Sequence, residues 1–327
     1  MNTTKASIIA IGGYVPETVL SNTDLEKRID TTDEWITSRT GIKERRILDD
    51  PALATSDMAS FAIKDLVENY DINPLDVDCL ILATSTPDHI LTPAASLVCE
   101  KAGLKNAWGF DLNAACSGFL YALSVGASFI ESGRYKNVIV VGADKMSSIV
   151  NYEDRNSCIL FGDGAGAVLL QPNTEGHGIQ QNIFRTDGTG AEFLSVRAGG
   201  SLLSTTEETI QNKQHFVHQE GRTVFKHAVR NMSGTSKELM EKASLTPDMI
   251  DWVIPHQANL RIIQAVSEEV GIPIEKFKVN IQKYGNTTAA TIPLCLWDFK
   301  KDFKKGDNIV ITAFGAGFSW GSMYIKW

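Results

Sequence analysis

The strongest constraint on this chain's fold is an internal repetition. Three short apolar runs in the first half have counterparts in the second. Asp78-Cys79-Leu80-Ile81-Leu82 is echoed by Asp251-Trp252-Val253-Ile254-Pro255. Trp108 to Leu112 is echoed by Phe277-Lys278-Val279-Asn280, and Asn137 to Val141 by Asn308-Ile309-Val310-Ile311-Thr312. The first and third runs begin 59 residues apart in one half (Asp78 to Asn137) and 57 apart in the other (Asp251 to Asn308). Continuous apolar runs of this length read as strands buried on both faces. Helical patterns separate them: Ser56 to Tyr70, Thr92 to Ala102 entered through Pro93, Cys116 to Ile130 ending near Gly133, and Gly221 to Ala243. A long-period repeat of strand–helix units implies two similar α/β halves, each with a mixed, largely parallel sheet. We divide them as residues 1–172 and 173–327. Ligand sites favour the interface between such halves.

Composition bounds the function. The chain has 327 residues, 43% hydrophobic and 21% charged, enough for a large core. A net charge of −8 gives no nucleic-acid footprint, and no apolar run approaches the length of a membrane span. Met1 to Ile11 carries one lysine and a short strand-like run, 5–11, ending at Gly12-Gly13; it lacks the apolar region and cleavage site of a signal peptide. The five cysteines (79, 99, 116, 158, 295) are odd in number, with no C-x-x-C pair. Reduced thiols and a cytoplasmic setting are expected, with neither disulfides nor zinc. Residues 172–222 read as polar and irregular. His215 and His218 stand there as H-x-x-H, without the carboxylates or cysteines a metal site needs.

Two further stretches admit a binding role. Asn22 to Thr40 has helical spacing behind a Ser21-Asn22-Thr23-Asp24 cap. Within it Trp35 stands near Arg39 and Arg45-Arg46, which could stack a base and bind phosphates. A surface helix anchored by a tryptophan explains the same residues. Phe161-Gly162-Asp163-Gly164-Ala165-Gly166 lacks the Lys-Ser/Thr of a phosphate loop and opens no helix. It reads as a place where backbones pack closely.

Three loops in matching positions of the repeat carry the chemistry. Cys116 sits where the run Trp108 to Leu112 hands over to a helix, in Asn113-Ala114-Ala115-Cys116-Ser117-Gly118. Unpaired amides and the helix dipole favour a thiolate there, and the small neighbours leave room for a substrate. His256, in Pro255-His256-Gln257-Ala258-Asn259, follows the first strand of the second half and can accept the thiol proton or donate to an oxyanion. Asn286, in Tyr284-Gly285-Asn286-Thr287-Thr288-Ala289-Ala290, donates hydrogen bonds without titrating. The tight loop Ala313-Phe314-Gly315-Ala316-Gly317-Phe318 can add amides, that of Ala316 with that of Cys116, to form an oxyanion hole. Alone, each residue has a plain structural explanation: a buried thiol, a core histidine, a turn asparagine. The repeat brings all three to one place. Cys–His–Asn also occurs in papain-like peptidases, but the Cys-Gly-Ser/Ala-Cys-Trp/Tyr signature is absent and the fold reads as a duplicated α/β unit.

With Asp33-Glu34-Trp35-Ile36 through Arg39-Thr40-Gly41-Ile42, and with the Phe161–Gly166 glycine cluster, these motifs resemble β-ketoacyl-acyl carrier protein synthase III, a condensing enzyme of the thiolase superfamily. The resemblance covers nearly the whole chain. It implies a five-layered αβαβα fold with a pseudo-twofold duplication, a homodimer, and no permanently bound cofactor or metal. It implies that an acyl group passes from acyl-CoA to Cys116, and that malonyl-acyl carrier protein then loses CO2 and attacks it, initiating fatty acid biosynthesis. His256 and Asn286 would stabilise the enolate, while Phe314 would keep water out. Trp35 and Arg155 would clamp the adenine of CoA, Arg39 would lie near its phosphates, and Asn259 would join the CoA site. Arg261 and Lys226 match positions implicated in carrier-protein docking. Two departures stand out. Glu268-Glu269 occupies the place of a basic pair, and Leu91-Thr92-Pro93 replaces Phe-Pro-Ser in the segment that reaches across the dimer to the acyl pocket. A leucine there suits a longer or branched primer. The alternative is therefore a synthase of the same subfamily that uses an unusual primer in secondary metabolism. The glycine loop 315–317 holds no second cysteine, against a degradative thiolase.

Overall fold

A computed structural model describes residues 4–327; the signal-peptide reading falls partly on residues 1–3, outside the described residues. The apolar runs form two sheets. The first has the strand order Lys5–Tyr14, Asp163–Asn173, Val138–Lys145, Cys79–Ala83 and Trp108–Leu112. The second runs Trp252–Pro255, Asn308–Gly315, Ser319–Lys326 and Gly178–Thr186. In the first sheet the three strands nearest Trp108 are parallel, and the two beyond alternate in direction. The second repeats this: Trp252–Pro255 runs parallel to Asn308–Gly315, and the next two strands alternate.

The duplication extends to single hydrogen bonds. Asp78 accepts the Asn137 amide at 2.9 Å, and Asp251 accepts the Asn308 amide at 2.8 Å. Asn113 Oδ1 accepts the Ala115 N–H, and Asn286 Oδ1, 173 residues later, accepts the Thr288 N–H. Ala115 and Thr288 both have left-handed backbones, at φ 49° and 53°. Each opens one turn of 3₁₀ helix that runs into a buried α-helix, Gly118–Glu131 or Thr291–Phe299.

Those two buried helices lie between the sheets. One core cluster joins Ile81, Val140 and Val168 of the first sheet, Leu120, Leu123 and Leu296 of the helices, and Ile254, Ile309 and Ile311 of the second sheet. The alternate residues Val253 and Val310 face outward, onto helices Gly221–Lys242 and Leu260–Val270. Leu80, Leu82, Ile139 and Val141 face helices Thr55–Tyr70 and Ala94–Lys101. The layers are therefore helix, sheet, helix, sheet, helix. Each strand carries apolar residues on both faces because each sheet is covered on both.

Several expectations are corrected. Phe277–Asn280 makes a single parallel bridge, Phe277 to Val253, rather than a strand, because the chain turns into the helix Ile281–Tyr284. Gly178–Thr186 lies inside the stretch expected to be irregular; its polar residues mask an edge strand. Asn22–Thr40 is two helices, Asn22–Glu26 and Asp33–Thr40, broken where Thr32 caps the second. Pro93 is the cap of its helix rather than a first-turn residue. The glycine cluster does pack closely: a Cβ on Gly162 would lie 2.3 Å from the Tyr284 carbonyl oxygen, and one on Gly166 2.7 Å from Pro293. Among the described residues no helix is long and apolar enough to cross a membrane, and no group of His, Cys, Asp or Glu could hold a metal ion.

Candidate active site

The C-terminal ends of the parallel strands of both sheets face a single cavity of about 1090 Å³. Exposed Arg39, Lys226 and Arg261 line it with buried Cys116, His256 and Asn286.

Cys116 lies in the 3₁₀ turn Ala115–Ser117, one turn before the α-helix proper. It is 7% exposed. Burial pushes its thiol up to about 12, and the charge of Asp144 adds to the rise. The helix N-terminus was expected to lower it; desolvation wins because the thiol is enclosed by both halves. The free enzyme thus holds a neutral thiol, and a base must take its proton. The hairpin after the Asn308–Gly315 strand comes very close: a Cβ on Gly315 would stand 2.7 Å from the Cys116 amide nitrogen. Among the described residues the Ala316 N–H has no partner within the chain, the Cys116 N–H meets its own residue's sulfur, and both residues line the cavity. Phe314, 4% exposed, lines it beside them and packs on Phe318, with ring centroids 4.8 Å apart.

His256 follows the strand Trp252–Pro255, its amide donating to the Thr312 carbonyl at 2.8 Å. Its Nδ1 lies 2.7 Å from the Thr291 hydroxyl. Burial lowers its pKa to about 3, so the ring is neutral. Asn286 is bracketed by the segment 160–162: its N–H donates to the Leu160 carbonyl at 2.8 Å, and its carbonyl accepts the Gly162 N–H at 3.1 Å. Because Oδ1 accepts the Thr288 N–H at 2.9 Å, the side-chain Nδ2 group is the free end. It has no partner among the described residues.

The outer residues are distributed unevenly. Arg39 and Arg155 lie over the Trp35 ring at 4.7 and 4.0 Å from its centroid. A base clamped between Trp35 and Arg155 therefore requires Arg155 to swing away. Trp35 and Arg39 line the cavity; Arg45 does not. Arg45 is fully buried, donating to the Ile159 carbonyl and Asn22, which removes it as a phosphate ligand. Asn259 caps the helix Leu260–Val270 through the Arg261 N–H and lines the cavity. Leu91 is 93% exposed and does not line its own chain's cavity. Glu269 is paired with Lys237.

Three residues near the site escaped the sequence reading. Asp144 is a fully buried carboxylate accepting from Thr84, Ser85, Thr86 and Ala289. Thr288 precedes Ala289, and Thr291 follows it by two residues. The signal for Asp144 was its position: a lone acid at the C-terminal end of an apolar parallel strand, where ligand sites of such sheets lie.

Residues 110–188 match the family described as 3-oxoacyl-[acyl-carrier-protein (ACP)] synthase III, and residues 240–327 match its C-terminal family. The beta-ketoacyl-[acyl-carrier-protein] synthase III 2 of Bacteroides thetaiotaomicron is 54% identical over 327 residues, covering 100% of this chain and 98% of that protein. The beta-ketoacyl-[acyl-carrier-protein] synthase III of Phocaeicola vulgatus is also 54% identical, with the same coverage. The crystal structure of 3-oxoacyl-[acyl-carrier-protein] synthase III from Aquifex aeolicus superposes with a TM-score of 0.90 at 43% identity, over 98% of this chain and 100% of that one.

Proposed function

The chain belongs to the β-ketoacyl-acyl carrier protein synthase III family, and from that premise we propose how its residues share out the reaction. It is a condensing acyltransferase that joins an acyl-CoA primer to malonyl-acyl carrier protein and so initiates fatty acid synthesis. The observation that carries our assignment is that Cys116, His256 and Asn286, from three separate loops, line one cavity.

In our reading the neutral His256 accepts the Cys116 proton as the thiol attacks the acyl-CoA thioester. The amides of Cys116 and Ala316 hold the resulting oxyanion, and CoA leaves as its thiol. Malonyl-acyl carrier protein then enters. Its thioester oxygen lies against Asn286 Nδ2 and the ring of His256, which stabilise the enolate as CO2 departs. The enolate carbon attacks the acyl group, and the Cys116 thiolate leaves. The wall at Phe314 excludes the water that would hydrolyse the acyl-enzyme. Trp35, Arg39, Arg155 and Asn259 bind CoA, and Lys226 and Arg261 at the cavity rim receive the acidic carrier protein. None of these steps calls for a resident cofactor or metal.

We read the chain as two halves, 1–172 and 173–327, in a homodimer. The edge strand Trp108–Leu112 supports the dimer. It is apolar yet unpaired on its outer side, with Trp108 44% exposed and packed on Phe110, Phe129 and Tyr135. Across that edge the exposed Leu91 would reach the partner's acyl pocket. The reduced cysteines support a cytoplasmic setting.

Intact-protein mass spectrometry after mixing with acyl-CoAs from acetyl to decanoyl, beside Cys116→Ala, tests the assignment. An adduct of one acyl group that the variant lacks is expected. Wild type that gains no adduct from any acyl-CoA would overturn it.

A further inference from the structure

The turn that carries Asn286 holds a residue whose backbone is fixed by its neighbours and whose side chain is not used by the fold. Thr288 has a left-handed backbone, φ 53°. For a β-branched residue that is a true outlier. It is 4% exposed, and its hydroxyl is buried without a hydrogen-bond partner among the described residues. An unsatisfied buried hydroxyl is a second cost. The residue lines the same cavity as Cys116, His256 and Asn286.

The backbone around it is held from every side. Its N–H donates to Asn286 Oδ1 at 2.9 Å. Its carbonyl accepts the Thr291 hydroxyl at 3.1 Å, the same hydroxyl that meets His256 Nδ1. The next amide, Ala289, donates to Asp144 at 3.0 Å. Thr288 thus links the two residues assigned to the enolate and is locked in position between them, while its own side-chain oxygen has no partner among the described residues. Strain that persists in an over-determined turn points to use.

We propose that the Thr288 hydroxyl is a further catalytic residue of the condensation half-reaction, donating a hydrogen bond to the malonyl carboxylate beside the Asn286–His256 carbonyl site. The proposal rests on the assignment of those two residues to the enolate. The chemistry at the closed end of the cavity suits it. The cations that line the cavity are the exposed Arg39, Arg222, Lys226 and Arg261, while the buried side chains that line it around Cys116 carry no cation; the buried Asp144 carboxylate lies behind the lining, held by the Ala289 amide. A cation against the carboxylate would stabilise the very charge that decarboxylation must disperse. A neutral hydroxyl orients the group, so that the breaking C–C bond stands across the thioester plane, with little such penalty. The hydroxyl exchanges no proton: the carbon–carboxylate bond breaks, CO2 leaves, and its electron pair passes to the enolate on the thioester oxygen.

The test uses Thr288→Val, which keeps shape and β-branching but removes the hydroxyl, and Thr288→Ser, which keeps the hydroxyl. Three readings are taken on each full-length protein: acylation of Cys116 by acyl-CoA, condensation with malonyl-acyl carrier protein, and melting temperature. In Thr288→Val, acylation is expected within about twofold of wild type, kcat/KM for malonyl-acyl carrier protein to fall about tenfold or more, and the melting temperature to hold or rise, because an unpaired hydroxyl has been removed. Thr288→Ser is expected to recover most of the condensation. Condensation unchanged in Thr288→Val would overturn the proposal. So would acylation and condensation falling together, or a markedly lower melting point, since either makes the hydroxyl structural. Wild type that takes an acyl group but never condenses would defeat the enolate assignment itself, which is a different failure.

Discussion

Asp144 accepts the Ala289 N–H at 3.0 Å, and the two residues belong to opposite halves of the duplication. Ala289 occupies in the second half the place that Cys116 occupies in the first. The Asp144 carboxylate therefore ties the end of its strand to the turn that carries Asn286. Its other oxygen accepts from Thr84, Ser85 and Thr86.

Asp144→Asn sets an NH2 group against those donors. We expect a loss of about 2 kcal/mol or more in unfolding stability and a condensation rate down at least tenfold. Urea unfolding and a malonyl-acyl carrier protein assay check this. A variant with wild-type rate and stability would mean that the clamp does not matter.

The thiol gives a pH signature. With Cys116 pushed up to about 12, iodoacetamide alkylation of the free enzyme should accelerate about tenfold per pH unit from 6 to 9, without a plateau. A plateau with its midpoint below 8 would contradict a neutral resting thiol.

His256 gives another. Its folded pKa of about 3 lies below the ordinary 6.5, so protonation favours the unfolded chain. Its contribution to stability is complete above pH 6.5 and is lost as pH falls toward 3. Comparing wild type with His256→Gln between pH 4 and 7 should show the wild type losing more stability on acidification. Malonyl decarboxylation should show no acid limb near 6.5 from this ring, and such a limb would place a titrating imidazole in the site.

Gly315→Ala would put a methyl group 2.7 Å from the Cys116 nitrogen and 3.2 Å from its Cβ. Acyl transfer to Cys116 should fall at least a hundredfold as the oxyanion space closes, with the circular dichroism spectrum preserved. Full acylation would remove the Cys116–Ala316 amide pair from the mechanism.

Leu91→Phe should narrow the primer range toward acetyl-CoA if this exposed side chain enters the partner's pocket. An unchanged ranking across acyl-CoAs from acetyl to decanoyl would exclude it from primer selection.

The sequence by itself determined the repeat, and with it most of the architecture. Runs such as Val138 to Val141 are apolar on both faces, and only a sheet covered on both sides accommodates them. It also determined the chemical identities in the three loops, because Cys116, His256 and Asn286 stand in matching parts of the repeat. What it left open depended on neighbours far away in the chain. Gly178–Thr186 is a strand because Ser319–Lys326 offers it an edge, which its own polar pattern does not reveal. Phe277–Asn280 fails to extend as a strand despite its apolar residues, because the chain turns into a helix after one bridge. Arg45 reads as a surface cation but is buried against the Ile159 carbonyl. The protonation states of Cys116 and His256 were likewise decided by the tertiary structure. A local helix end favours the thiolate, but desolvation by two halves closing over one cavity outweighs it, and desolvation is a property of the packed molecule rather than of any stretch of sequence.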